Sequence, residues 1–151
     1  MPLHNEKRLR VGRISEVGRV YLITTCTTNR TPCFQDWRIG RLVVRELMRE
    51  QMEGNAFSFA WVLMPDHLHW LVELKCGNLS AMVRRVKSLS TRSLNAATHQ
   101  SGGIWQKGFH DRALRREEDL RATARYVIAN PLRAGLVERI GDYPLWDAAW
   151  I

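Results

Sequence analysis

The chain has 151 residues, of which 45% are hydrophobic. That length is enough for one domain with its own core, and that composition excludes a disordered polymer. Its formal charge of +8 points to a polyanionic partner. No apolar run approaches the ~20 residues that span a bilayer, and the N-terminus lacks a signal-peptide core. The expected partner is therefore nucleic acid and not membrane. Cys26, Cys33 and Cys76 are odd in number and form no CxxC pair, which argues against a zinc ribbon or a disulfide framework. The chain reads as a reduced, cytoplasmic protein.

Residues 1–19 are basic and poorly periodic, with Arg8, Arg10 and Arg13 among them, and read as an arm ahead of a domain at 20–151. The β-branched and aromatic run 20–27 predicts a first strand. Residues 36–53 predict a helix, with Ile39, Leu42, Val43 and Leu47 at core spacing and Arg38, Arg41, Arg45 and Arg49 on another stripe. Residues 56–64 predict a second strand with Phe57, Phe59, Trp61 and Leu63 on one face. Pro65-Asp66 marks a turn, and 67–74 predicts the third strand, closing a hairpin.

Gly77-Asn78 opens a second helix with Leu79, Met82, Val83, Val86 and Leu89 inward. Arg84, Arg85, Lys87 and Arg92 lie on its other faces. A short strand is expected within 105–114. A third helix is expected at 117–130, stopped by Pro131. The order β-α-β-β-α-β-α predicts an α+β fold, a single-domain ferredoxin-like antiparallel sheet flanked by helices.

The stretch 64–74, MPDHLHWLVEL, alternates strictly. Leu68, Trp70, Val72 and Leu74 share a wholly apolar face, while His67, His69 and Glu73 share the other with Leu71. Two imidazoles two residues apart on one face of a strand can converge on a divalent cation. Alternatively, they decorate the solvated face of an edge strand. A metal would need at least one more ligand from elsewhere.

In the third helix, Leu120, Ala124, Val127 and Pro131 form a core stripe, and Tyr126 falls roughly 120° away from it. Asn130 follows Tyr126 at i+4 on the same face. A carboxamide oxygen is a suitable hard ligand for Mg²⁺ or Mn²⁺. His67, His69 and Asn130 could thus hold an ion that polarises a phosphate, with Tyr126 as nucleophile. The alternative is that Tyr126 packs its helix against the sheet.

Together these motifs resemble the HUH transposases with a single catalytic tyrosine, and within them the REP-associated group. The matching stretches are GRVY (18–21), His67-Leu68-His69, WQKGFHD (105–111) and YVIANPLRAGLV (126–137). The resemblance covers nearly the whole chain. It implies a ferredoxin-like fold and a divalent ion. It also implies cleavage of single-stranded DNA through a 5′-phosphotyrosine link with a free 3′-hydroxyl, a step another strand can reverse. The implied substrate is DNA bearing an imperfect hairpin of the repetitive extragenic palindrome (REP) type. By position, His67, His69 and Asn130 match metal ligands and Tyr126 the nucleophile. His110 and Asp111 either line the DNA cleft or steady a ligand, or else close a surface turn.

For DNA contacts, Arg84, Arg85, Lys87 and Arg92 on the second helix are phosphate candidates, with the arm residues and Arg115, Arg116 and Arg133. Trp105, Phe109 and Trp146 could stack on bases or belong to the core. Two other readings remain open: a hairpin-binding DNA or RNA module without chemistry, and a replication or mobilisation endonuclease. The protein is expected in the bacterial cytoplasm at the nucleoid, as a monomer or homodimer.

Overall fold

The computed structural model describes residues 15–115 and 117–150, except for the side chains of Glu117 and Glu118. Arg8, Arg10, Arg13 and Arg116 lie outside the described residues. The strands are β1 (Val20–Cys26), β2 (Ala56–Met64), β3 (His67–Leu74), β4 (His110–Ala113) and β5 (Trp146–Ala148). The α-helices are α1 (Trp37–Met52), α2 (Leu79–Thr98), α3 (Glu117–Ile128) and the four-residue α4 (Asn130–Arg133). All strand pairings are antiparallel, in the order β4-β1-β3-β2-β5. This is the expected ferredoxin-like sheet, with β5 added beside β2.

The alternation in β3 divides the molecule into two layers. Leu68, Trp70, Val72 and Leu74 enter one core with Val43 and Leu47 of α1 and Met82 and Val86 of α2. Leu71 enters a second core with Val62 of β2 and with Leu120, Ala124 and Val127 of α3. The two helices on the first face are joined by charge. Buried Glu50 accepts from Arg85 at 2.8 and 3.0 Å and from Asn55 Nδ2 at 3.1 Å. Such a pair is held by mutual attraction and stays costly to break, because Glu50 alone would be an uncompensated buried charge.

Helix ends follow the capping signals. Asp36 accepts from the Arg38 amide at the start of α1, and Asn78 from the Ala81 amide at the start of α2. Gly54, at φ +82°, takes the left-handed turn that ends α1. Ahead of β1, Ser15 Oγ accepts from the Leu79 amide and the Gly18 amide donates to the Leu74 carbonyl, so residues 15–19 are fastened to the start of α2 and the end of β3.

Two expectations need correcting. The register of β2 on β3 shifts between Ser58 and Ala60. This irregularity separates Phe57 and Phe59 from Trp61 and Leu63: Phe59 packs on the α3-side core, whereas Trp61 and Leu63 belong to the other. Second, Pro131 does not end the helical run at Asn130. α3 stops at Ile128, and Pro131 sits in the first turn of α4, where its missing N–H costs nothing. Among the described residues no helix is long and apolar enough to cross a membrane.

Candidate active site

His67 and His69 sit at the start of β3, on the face covered by α3. Their ring centroids are 4.9 Å apart and their planes cross at 81°. Each ring uses one nitrogen for orientation. Thr24, the direct β1 neighbour of His69, places its hydroxyl 2.8 Å from His69 Nδ1. Asp66 Oδ1 lies 2.8 Å from His67 Nδ1; a carboxylate only accepts, so the proton is on that nitrogen. Among the described residues neither Nε2 atom has a hydrogen-bond partner. An imidazole fixed through one nitrogen and open at the other is the arrangement of a metal-ligating histidine with its supporting hydrogen bond.

Electrostatics keep His69 neutral. Burial pushes the His69 pKa down to about 4, aided by the charges of His67, Arg133 and Arg30. A neutral imidazole retains the lone pair a metal needs. Burial works against the charge of Asp66, but hydrogen bonds from His67 and Arg30 outweigh it and hold that carboxyl below its ordinary range. Arg30 donates from Nε to Asp66 Oδ2 at 3.0 Å. Its own backbone is left-handed (φ 53°), as is that of Asn29 (φ 56°). For an arginine this is a strained conformation. Buried Thr27 stabilises the turn, its hydroxyl bonding to the carbonyls of Thr31 and Asp66.

Tyr126 projects from α3, 59% exposed, while Leu120, Ala124, Val127 and Pro131 are buried as the helical spacing requires. Arg133 lies over the phenol ring, 3.8 Å from its centroid. The same guanidinium is near enough to His69 to depress its pKa. Arg133 thus lies on the tyrosine and within electrostatic range of His69. The other two tyrosines are engaged in the fold. The Tyr21 hydroxyl accepts from the Glu16 amide. Tyr143 donates to the Leu63 carbonyl at 2.6 Å, and burial, with Asp66 nearby, pushes its pKa up to about 12.

Asn130 is half-buried at the break between α3 and α4. Among the described residues no third histidine, cysteine, aspartate or glutamate joins His67 and His69. His110 is the β4 partner of Thr24, so His110, Thr24 and His69 form one cross-strand row; Asp111 is one position on, beside Ile23. Both belong to a strand and not to a surface turn.

The cations expected on α2 separate into two kinds. Arg85 is held by Glu50, and Lys87 Nζ donates to the carbonyls of Gln106 and Gly108. Arg84 and Arg92 are exposed, as are Arg115 and Arg133. Trp105 packs against the first core with its indole N–H on Ser90 Oγ, Phe109 is buried in that core, and Trp146 packs against the second core. Sequence reasoning passed over Thr24, Asp66 and Arg30 as site residues. Only Asp66 carried a local signal, being next to His67.

The family model described as "Transposase IS200 like" matches residues 18–130. The chain belongs to this transposase family. A Haemophilus influenzae protein provisionally named a REP-associated tyrosine transposase is 27% identical over 139 residues, which covers 84% of this chain and 78% of that one. An Escherichia coli REP-associated tyrosine transposase is 31% identical over 87 residues, 56% of this chain and 50% of that protein. The fold matches a solved REP-associated tyrosine transposase, one bound to a REP hairpin, with TM-score 0.73 and 24% identity. That match covers 89% of this transposase and 79% of the other chain.

Proposed function

We propose that this transposase cuts and rejoins single-stranded DNA beside a REP-type hairpin, with Tyr126 as the nucleophile. The observation that carries this reading is that α3, which holds the exposed Tyr126, packs on the face of β3 that bears His67 and His69. Arg133 lies over the Tyr126 ring, and His67 and His69 stand side by side on one face of β3. The hairpin follows from the similarity to REP-associated transposases.

His67 and His69 fit a divalent ion, since each is oriented through Nδ1 and open at Nε2. The Asn130 carboxamide would complete the ligand set. Such an ion, Mg²⁺ or Mn²⁺, supplies Lewis-acid polarisation of the scissile phosphate. The chain's own groups do the rest. The Tyr126 oxygen forms a bond to phosphorus as the P–O3′ bond breaks. The phenolic proton passes to solvent, and the departing 3′ oxygen takes one up as a hydroxyl. The product is a 5′-phosphotyrosine, and attack by another 3′-hydroxyl runs the step in reverse. Arg133 holds the ring and brings positive charge to the attacked phosphate. Arg92 and Arg115 offer phosphate contacts that set register without reading sequence.

Labelled hairpin DNA with single-stranded flanks, incubated with Mn²⁺ and run on a denaturing gel, tests this reading. A protein-linked band that needs both metal and Tyr126 is expected. Tight, metal-independent hairpin binding with no linked band would leave a binding module without chemistry.

A further inference from the structure

His67 Nδ1 has two neighbours that ask for opposite tautomers. Asp66 Oδ1, 2.8 Å away, accepts a proton from that nitrogen and leaves Nε2 bare. Arg30 Nη2, 3.4 Å away, only donates, and its match is a bare Nδ1 with the proton on Nε2. Both cannot be satisfied at once. Asp66 wins on distance, and an ionised acceptor also makes the stronger bond.

The turn after β1 holds Asp66 in this place. The Asp66 carbonyl accepts from the Thr27 amide at 3.0 Å and from the Thr27 hydroxyl at 3.1 Å, which fixes its backbone. Its Oδ2 accepts from Arg30 Nε at 3.0 Å. Each carboxylate oxygen thus has its own partner, and the group cannot turn away from His67 without losing one.

Stability alone does not account for this turn. The Arg30 side chain is 53% exposed, and exposed ion pairs contribute little. Asn29 and Arg30 are both left-handed, at φ 56° and 53°. Asparagine tolerates that region through its short polar side chain and glycine enters it freely, but arginine does neither. A backbone that disfavours arginine, joined to a pair that adds little stability, points to the direction in which the side chain is sent.

We propose that Asp66 is a positioning residue, aimed by Arg30, that selects the His67 tautomer with its proton on Nδ1 and so presents a bare Nε2 to the ligand of the site. The inference rests on the reading of His67 as a metal-ligating group. It has a second consequence. Without Asp66, Arg30 becomes the donor to Nδ1, and Nε2 is closed by a proton. His69 stands outside this arrangement, since its Nδ1 meets Thr24.

The test reads the tautomer directly. Long-range proton–nitrogen NMR of metal-free, histidine-labelled protein distinguishes a protonated ring nitrogen from a bare one, in buffer alkaline enough to keep imidazole neutral. Wild type should carry the His67 proton on Nδ1. Asp66→Ala should move it to Nε2 and weaken Mn²⁺ binding about 10–100-fold by calorimetry, the usual loss when a ligand's hydrogen-bond partner is removed. Adding Arg30→Gly to Asp66→Ala should return part of the proton to Nδ1, which a merely structural role would not do. The tautomer decides this arm, because removing a cation by itself favours Mn²⁺. Arg30→Gly alone should unfold at no lower urea concentration than wild type, since the relieved backbone offsets the lost pair. A clearly lower midpoint would assign the turn to stability instead. A wild-type proton on Nε2, a proton still on Nδ1 in Asp66→Ala, or a double variant with as much Nε2–H as the single one would overturn the proposal. So would equal changes at His69, which would mark a general disturbance. If the tautomer moves as expected while wild type binds no Mn²⁺, the metal reading fails and the positioning role stands. If wild type binds Mn²⁺ and no variant moves the tautomer, the reverse holds.

Discussion

On the face of the sheet under α1 and α2, the buried Glu50 carboxylate is answered inside the fold by Arg85 and Asn55. On the face under α3, His67 and His69 each spend one nitrogen on the fold, and among the described residues the other has no partner. The same β3 strand serves both faces, because its side chains alternate. The first face puts polar groups where they fasten elements together. The second puts them where they can meet a ligand, and pays with a strained backbone at Asn29 and Arg30. Mutations on the first face should therefore act on stability, and those on the second on chemistry.

The largest stability effect is expected at Trp70, which is fully buried on the first face with its indole N–H on Ser58. Trp70→Ala should cost about 3–5 kcal/mol in urea unfolding. Arg85→Ala should cost roughly 3 kcal/mol by leaving Glu50 buried and unpaired. Substituting Glu50→Gln as well should recover part of that loss, and no recovery would mean the pair is not what joins α1 to α2.

On the second face the ranking reverses. His69→Ala should shift stability by only about 1 kcal/mol, yet calorimetry should show Mn²⁺ binding lost. Retained Mn²⁺ binding would separate His69 from any metal. Arg133→Ala should leave stability within about 0.5 kcal/mol. It should slow adduct formation about a hundredfold if correct placement of Tyr126 depends on it, with partial rescue by Arg133→Lys. An unchanged rate would make the contact over the ring incidental.

The sequence signals were strongest where structure is local. Strict alternation in β3 sorted Leu68, Trp70, Val72 and Leu74 from His67 and His69, and the structure has that partition. The α3 stripe placed Leu120, Ala124 and Val127 inward and Tyr126 outward, as found. The β2 irregularity was not legible, because the aromatic alternation from Phe57 to Leu63 continues unbroken through it and no glycine or proline marks it. In the sequence Pro131 signals a stop because proline usually ends a helix, but the first turn of a following helix tolerates it equally well. Partners distant in sequence were invisible. Thr24 lies 45 residues from His69 and Glu50 lies 35 from Arg85, and only the folded sheet and helix pair unite them. Arg133 stands seven residues after Tyr126, about two helical turns, so its place over the ring had a signal that a reading of it as a phosphate contact overlooked.

Tyr126→Phe should have the smallest stability effect of these variants, within about 0.5 kcal/mol, and should abolish adduct formation. The most direct measurement goes further and locates the bond. Protein trapped on hairpin DNA is digested with nuclease and trypsin, and the peptides are weighed. The account predicts a 5′-nucleotide on the peptide of residues 126–133, YVIANPLR, with the phosphate on Tyr126. A nucleotide found on a peptide carrying Tyr21 or Tyr143, or DNA cleaved with no nucleotide left on any peptide, would contradict it.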